Sequence, residues 1–202
     1  PVCNKYPLNI LENENAKSLA YRLSNLAAEI ILPNIENILQ QKANFEEQDS
    51  SMVTYAKKIQ KIEGKINWNN GADEILAKIN GLYPQPGAWF SFENDRHKIL
   101  RATLSKNTMK PGEIIDDELT ISCGNKSIKV TEIQREGKKP QKTRNFLLGS
   151  KLKKGIILKN EKISNTHRIR WYFIYWLANP EKGKINSKNN SKCYFKTIKG
   201  KY

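Results

Sequence analysis

Apolar side chains recur at helical spacing in the first part of the chain: Leu19, Leu23, Leu26, Ile30, Ile35, Ile38 and Leu39. This spacing predicts an amphipathic helix over residues 15 to 42, with Asn15 as its N-cap. Pro33 lies inside the pattern, and because proline lacks an N–H we expect it to kink or restart the helix. The loose alternation of residues 1 to 11 predicts a strand, or the frayed end of one, before it.

A second, shorter helix is predicted after residue 68, with Asn69 or Asn70 as its N-cap. Its buried face would consist of side chains at positions i, i+4 and i+7: Ile75, Ile79 and Leu82. The two prolines of the segment Tyr83–Trp89 end this helix, because proline cannot continue one.

Period-two alternation follows from residue 88 to about residue 158. It predicts five short strands at about 89–92, 99–104, 112–115, 119–122 and 128–133, and then a short helix that Thr143 can cap. This pattern is typical of a small closed barrel of the OB type. The predicted fold class is therefore α+β: an amphipathic helix and a linker, followed by a small five-stranded OB-like β-barrel with one short helix.

The charge is strongly basic, with 35 Lys and Arg against 20 Asp and Glu and a formal net charge of +15. Such a balance favours a polyanionic partner, either nucleic acid or an acidic membrane surface. A Lys- and Asn-rich proteome is the alternative explanation. Cys3, Cys123 and Cys193 are odd in number and far apart, so we expect a reducing, cytoplasmic location and no metal. No apolar run is long enough to span a membrane, so we expect no membrane partner.

Three sequence blocks between residues 54 and 89 occur in a specific order: T-Y-A-K-K-I at 54–59, G-K-I-N-W at 64–68 and Y-P-Q-P-G-A-W at 83–89. They resemble the region that joins the two domains of methionyl-tRNA formyltransferases, whose pattern is T-Y-A-x-K-I, G-x-I-D/N-W and N-P-x-P-G-A. The chain departs from the family at Gln85, where tryptophan is common, and at Asn80-Gly81, where Arg-Ala is common. The resemblance covers about residues 1 to 158.

The resemblance implies an enzyme that formylates the methionine of initiator tRNA from 10-formyltetrahydrofolate. In that family the folate binds an upstream doubly wound domain, which holds a catalytic asparagine, histidine and aspartate. Pro1 matches the proline that follows the aspartate in a D-x-G-P element, so none of the three has a position here. We therefore expect residues 1–45 to be a remnant of that domain. We also expect no cofactor in this chain and no formyl transfer by this chain alone.

The remaining domain boundaries follow from composition and from the resemblance. Residues 46–65 are a predicted basic linker, and residues 66–160 are the predicted OB-like carboxy-terminal formyltransferase domain. Residues 161–202 lie outside the resemblance and carry ten Lys and Arg against two Glu. This extension has the composition of a disordered segment. It is either a basic aromatic binder of single strands or an unselected extension, and we favour the latter.

Two basic groups are the candidate binding residues. The resemblance implies that Lys57, Lys58 and Lys61 in the linker contact the acceptor arm of initiator methionyl-tRNA; a solvated linker is the alternative. The second group surrounds Gly137 and consists of Arg135, Lys138, Lys139, Lys142 and Arg144. Its loop would lie at the barrel rim, where ligands often bind, although a solubilising loop explains it almost as well. Lys98 and Arg101 are weaker candidates.

Other chemistry-bearing residues have simpler explanations. The aromatic residues at apolar-periodic positions are expected to pack in the core or between domains: Trp68, Tyr83, Trp89 and Phe90. His97 follows a charged turn and is expected to be an ordinary surface histidine. The carboxylates among residues 113–118 lie at a predicted hairpin turn, which accounts for them without catalysis.

We expect the chain to bind initiator tRNA and to be a monomer. Two other functions compete with tRNA binding. The first is the carboxy-terminal domain of a folate-dependent formyltransferase that acts on a sugar nucleotide. The basic linker and the G-K-K triplet at 137–139 favour tRNA, since a sugar nucleotide needs no extended cationic track. The second is a generic OB-type RNA-binding module, against which the helix at 15–42 argues.

Overall fold

The computed structural model describes residues 1–160 of the 202-residue chain. The predicted extension, residues 161–202, lies outside the described residues. Helix α1 spans Ala16–Leu39 and begins as predicted, because the Asn15 side chain accepts a hydrogen bond of 3.0 Å from the Ser18 N–H. Of the two outcomes predicted at Pro33, a kink or a restart, the restart is wrong, since α1 continues through this residue. Asn34 Nδ2 donates to the Ile30 carbonyl at 2.6 Å in the same turn.

The segment before α1 does not form the predicted strand. Residues 1–11 make only an isolated antiparallel bridge, between Val2 and Glu46, because they have no neighbouring strand to extend it. Helix α1 itself contains no buried residue, and apolar side chains such as Leu32 and Leu39 are exposed. No residue of the apolar stripe that predicted α1 is thus fully buried within the described residues, and Leu23, Ile35 and Ile38 are exposed.

Helix α2 spans Ala72–Leu82, and its N-cap is Gly71 rather than the predicted Asn69 or Asn70. The capping hydrogen bond comes from a distant residue: Asn125 Oδ1 accepts from the Ala72 N–H at 3.1 Å. A local pattern could not predict this cap, because the acceptor lies in the turn before β4. The predicted buried face of Ile75, Ile79 and Leu82 is confirmed.

Five antiparallel strands form one sheet: β1 Ala88–Phe92, β2 Asp95–Ser105, β3 Thr120–Ser122, β4 Ser127–Arg135 and β5 Gln141–Lys142. Their order is β1-β2-β4-β3, and β5 pairs with β4. The β1–β2 turn is tight, since Phe92 pairs directly with Asp95. The long strands β2 and β4 form the centre, with His97 opposite Arg135 at one end.

The α+β class and the five-stranded sheet are confirmed, but the sheet is not closed into the predicted barrel. The strand predicted at 112–115 is also wrong. Gly112 turns the chain with a φ of +86°, and the following residues form only isolated bridges. The Ile114 N–H donates to the Ile156 carbonyl at 2.9 Å, so a carboxy-terminal loop takes the hydrogen bonds that a full strand would have used.

Helix α3 spans Thr143–Leu148, close to the prediction, but Thr143 is not its N-cap. Lys142 occupies the cap position, and Thr143 is the first helical residue. The Thr143 hydroxyl donates instead to the Val130 carbonyl in β4 at 2.7 Å. This bond fixes the start of α3 against the sheet.

The core lies between α2 and the sheet. Trp68 is completely buried in it, and Ile79, Ile121 and Ile133 are buried with it. Asn160 Oδ1 accepts from the Trp68 N–H at 2.8 Å, which holds the end of the described chain against the start of the domain. None of the helices within residues 1–160 has the length and apolar character that a membrane span requires.

Candidate nucleic-acid interface

The end of the linker is attached to strand β1. A 3₁₀ turn at Lys61–Gly64 presents its first carbonyl to the indole of Trp89, whose Nε1–H donates to Lys61 O at 2.9 Å. The next residues continue the contact, because the Ile66 N–H donates to the Trp89 carbonyl at 2.8 Å. The basic linker therefore approaches the domain at a defined place.

A cleft of about 690 Å³, which we call the linker cleft, lies where the linker meets β2 and the end of β4. Its cationic residues come from three separate parts of the chain: Lys58, Lys61, Arg96, Lys98 and Arg135. Among the residues that line it within the described chain, only Glu136 is acidic. The linker cleft is thus a concave, cationic surface.

Two of these cations are held by neighbouring side chains. The Arg96 guanidinium lies 4.4 Å from the centroid of the Trp89 ring, a distance typical of a cation–π contact. Arg135 Nε lies 2.8 Å from Asp95 Oδ2, and Arg135 Nη2 contacts the same oxygen. Both members of this ion pair remain about half exposed, so Arg135 keeps an accessible edge.

A second cleft, of about 400 Å³, lies between β4 and α3 and is called the loop cleft. Lys138, Lys139 and Arg135 line it, so Arg135 is common to both clefts. Hydrogen bonds order the loop: Gln134 Nε2 donates to Lys138 O at 2.8 Å, and the Glu136 N–H donates to Arg96 O at 2.9 Å. The loop is therefore fixed at the rim of the linker cleft.

The structure brings most of the predicted cations together. Lys58, Lys61 and Arg135 line the linker cleft, and Lys138 and Lys139 line the loop cleft. Three others lie apart from both linings, and one of them, Arg144, is exposed in α3. Lys57 is exposed just before the linker cleft, and Lys142 Nζ lies 3.9 Å from Glu132 Oε2 in β4.

Sequence reasoning missed Arg96 and gave Lys98 little weight, although both line the linker cleft. The available signal was their spacing, because residues two apart in a strand face the same side. It went unused because β2 begins at Asp95, well before its predicted start near residue 99. Arg101 is outside the cleft and lies 3.4 Å from Glu132.

The expectation for His97 is wrong. Only 4% of this residue is exposed, and its ring stacks on Phe90 with the centroids 5.4 Å apart. Burial lowers the pKa of His97, although the carbonyl and the charge of Asp95 act in the opposite direction. The histidine is therefore a core residue that favours the neutral form.

Most of the remaining simple explanations hold, but Tyr83 is only half-buried and its ring lies 5.9 Å from the Arg101 guanidinium rather than in the core. Trp68, Trp89 and Phe90 are buried packing residues. Asp116 belongs to a turn, since its Oδ1 accepts from the N–H groups of Glu118 and Thr120 at 3.0 and 2.9 Å. This geometry assigns the acidic segment a structural role.

Comparison with known proteins identifies the class. Residues 58–151 match the model of the formyl transferase C-terminal domain, so this part of the chain belongs to that family. Within the family, the chain is similar to the carboxy-terminal part of methionyl-tRNA formyltransferases, as the three sequence blocks predicted. The chain spans about half the length of the curated relatives it matches.

Two relatives give the extent of the match. The methionyl-tRNA formyltransferase of Pelagibacter ubique is 50% identical over 161 residues, which cover 79% of this chain and 52% of the relative. The methionyl-tRNA formyltransferase of Bradyrhizobium diazoefficiens is 41% identical over 152 residues, covering 73% of this chain and 49% of the relative.

Solved structures share the fold at lower identity. A variant of HypX from Aquifex aeolicus is 18% identical, with a TM-score of 0.53 over 76% of this chain and 30% of HypX. HypX in complex with tetrahydrofolic acid gives the same TM-score at 16% identity, over 76% of this chain and 29% of HypX. These similarities concern the fold alone.

Proposed function

We propose that this chain is part of a methionyl-tRNA formyltransferase and that its linker cleft binds the sugar–phosphate backbone of initiator methionyl-tRNA. The observation that carries this proposal is the convergence of linker lysines and sheet arginines in one cleft: Lys58 and Lys61 face it from the linker, and Arg96 and Arg135 from the sheet. The loop cleft, with Lys138 and Lys139, extends the same cationic surface beyond Arg135.

The chemistry of the linker cleft suits phosphate. Lysine and arginine neutralise phosphates and release condensed counterions, and this release supplies most of the sequence-independent affinity for nucleic acid. Arginine adds paired hydrogen bonds to phosphate oxygens. Backbone contacts of this kind position a nucleic acid and carry no direct sequence information. The cleft would therefore orient the tRNA, and selection among tRNAs would depend on other contacts.

The reaction itself belongs to the proposal. The enzyme would transfer a formyl group from 10-formyltetrahydrofolate to the amino group of the methionine on the charged tRNA. The prediction that the folate binds outside the 202 residues of this chain stays a prediction. The relatives named above favour a tRNA acceptor over a sugar nucleotide, because both are methionyl-tRNA formyltransferases.

The proposal can be tested by measuring the affinity of the 202-residue chain for initiator tRNA. A double variant, Lys61→Ala with Lys98→Ala, removes one cation from the linker and one from β2. We expect affinity to fall about 100-fold or more, since hydrogen bonds to charged groups contribute roughly 1.5–3 kcal/mol each and about 1.4 kcal/mol is tenfold.

The matched control is Lys106→Ala with Lys110→Ala. These exposed lysines follow the carboxy-terminal end of β2, away from Arg96 and Lys98. Replacing them removes the same charge from the chain. We expect the control to retain nearly the full affinity. An equal loss in both double variants would show that net charge alone, and not the linker cleft, determines binding.

A further inference from the structure

The side chain of Trp89 contacts both walls of the linker cleft. Its Nε1–H donates to the backbone carbonyl of Lys61 at 2.9 Å, on the linker side. Its ring lies under the guanidinium of Arg96, 4.4 Å from the centroid, on the sheet side. Only 6% of Trp89 is exposed, so the ring is too covered to stack on a base.

The backbone around Trp89 reinforces the contact with the linker. Lys65 pairs with Trp89 in a parallel bridge, and the Ile66 N–H donates to the Trp89 carbonyl at 2.8 Å. Gly64 lies so close to the strand that a Cβ there would be 2.3 Å from the Gly87 carbonyl oxygen and 3.1 Å from Trp89 Cδ1. Only glycine permits this close approach without displacing the linker.

We propose that Trp89 is a positioning residue, which fixes the linker lysines relative to Arg96 so that the linker cleft is preorganised for phosphate. This inference rests on the proposed function. A flexible linker would lose conformational entropy each time its lysines met the nucleic acid. The indole hydrogen bond restricts Lys61 before binding, which reduces that cost. The ring face at the same time restricts the side chain of Arg96.

A substitution at Trp89 can separate the two roles of the indole, as a hydrogen-bond donor and as an aromatic face. In Trp89→Phe an aromatic face for Arg96 remains, but the donor to Lys61 O is lost. The linker should then be released while the sheet wall of the cleft stays in place. Trp68→Phe is the matched control, because Trp68 is fully buried and its Nε1 has no hydrogen-bond partner within residues 1–160.

The experiment measures the affinity of the 202-residue chain for initiator tRNA and its salt dependence. We expect Trp89→Phe to weaken binding about 3- to 10-fold, the range that one net hydrogen bond supports. The slope of log affinity against log salt should flatten as the linker lysines lose contact. Trp68→Phe should leave the affinity and the salt slope within about 2-fold of the parent values. The reason is that the Trp68 indole N–H has no hydrogen bond within residues 1–160 for the substitution to remove.

A double-mutant cycle distinguishes positioning from general destabilisation. In a Lys58→Ala, Lys61→Ala background, Trp89→Phe should have almost no further effect on tRNA affinity, because the lysines that it positions are gone. If Trp89→Phe weakens binding equally in both backgrounds, or in neither, the positioning role is wrong. If the two lysine substitutions alone change nothing, the proposed function fails instead.

Gly64→Ala provides a second variant that approaches the same contact from the linker. Its Cβ would push the linker away from the Gly87 carbonyl and from the Trp89 ring, while the indole N–H itself remains present. Gly64→Ala replaces Trp89→Phe in the experiment if circular dichroism shows that Trp89→Phe lowers the folded fraction. The same loss of affinity and of salt slope is expected, again absent in the double-lysine background, and unchanged tRNA binding in a folded Gly64→Ala chain would overturn the inference.

Discussion

Asp95 forms a double contact with Arg135 across the pairing of β2 and β4, with Arg135 Nε 2.8 Å from Asp95 Oδ2. Arg135 lines both the linker cleft and the loop cleft, so this carboxylate neutralises part of the charge at the point where the two clefts meet. The ion pair therefore competes with any phosphate that approaches Arg135.

Replacing Asp95 with Asn should strengthen tRNA binding. Exposed ion pairs contribute roughly 0.2–1 kcal/mol, so releasing Arg135 predicts affinity about 1.5- to 5-fold tighter. Equilibrium binding to initiator tRNA measures the effect. Glu93→Gln is the control, because it removes the same charge from a residue that contacts Lys151 rather than Arg135. Equal tightening of tRNA binding in both variants would show that the release of Arg135 from its ion pair is not the cause.

The buried His97 predicts a specific pH dependence of stability. Burial lowers its pKa, so the folded protein favours the neutral ring, whereas the unfolded chain binds a proton near pH 6.5. The contribution of His97 is then complete above pH 6.5 and is lost as the pH falls below it. The charges of Asp95 and Arg135 act on the pKa of His97 in opposite directions.

His97→Phe tests this dependence. A phenyl ring suits the site, which Phe90, Phe92 and Phe146 surround. The free energy of unfolding of the parent should fall more steeply than that of the variant between pH 7 and pH 5, as measured by urea denaturation. Parallel curves for the two proteins would mean that His97 keeps an ordinary pKa in the fold.

The distant cap on α2 predicts a loss of stability when Asn125 is truncated. Asn125→Ala removes the side-chain acceptor 3.1 Å from the Ala72 N–H and leaves only the Asn125 backbone carbonyl at 3.3 Å. The expected cost is about 1 kcal/mol in the free energy of unfolding, the usual effect of losing an N-cap side chain. Asn107→Ala, in the exposed loop after β2, is the control and should cost little. Equal effects would contradict the capping role.

The absence of any buried residue in α1 predicts that residues 1–45 are loosely held. Limited proteolysis of the 202-residue chain, followed by mass spectrometry, should remove them first and leave a resistant fragment that begins near residue 66. Elements with few buried contacts open readily and expose their backbone to proteases. Protection of the segment 19–39 at times when the linker is already cut would contradict this expectation.

The sequence predicted those parts of the fold that depend on local pattern. The N-cap at Asn15, the buried face of α2 and the long strands β2 and β4 all follow from spacing within a few residues. It failed where distant residues decide. Asn125 caps α2 from across the domain, and Ile156 takes the hydrogen bond that a strand at 112–115 would have made.

The candidate site shows the same division. Composition and resemblance selected Lys58, Lys61 and Arg135, but no local feature showed that they share a cleft. The linker reaches the cleft through a contact between residues that are distant in sequence, since Trp89 Nε1–H donates to Lys61 O. The burial of His97 was equally hidden, because it arises from packing against Phe90 and Phe92 in β1 together with Phe146 in α3.

The central claim, that the linker lysines meet tRNA phosphates, is tested most directly by the salt dependence of binding. The 202-residue chain and its Lys57→Ala, Lys58→Ala, Lys61→Ala variant should be compared with initiator tRNA over a range of salt. The charge of residues 161–202 is common to both proteins. The slope of log affinity against log salt should flatten by roughly 2–3 units in the variant, if each lysine neutralises one phosphate. Identical slopes for the two proteins would contradict the account.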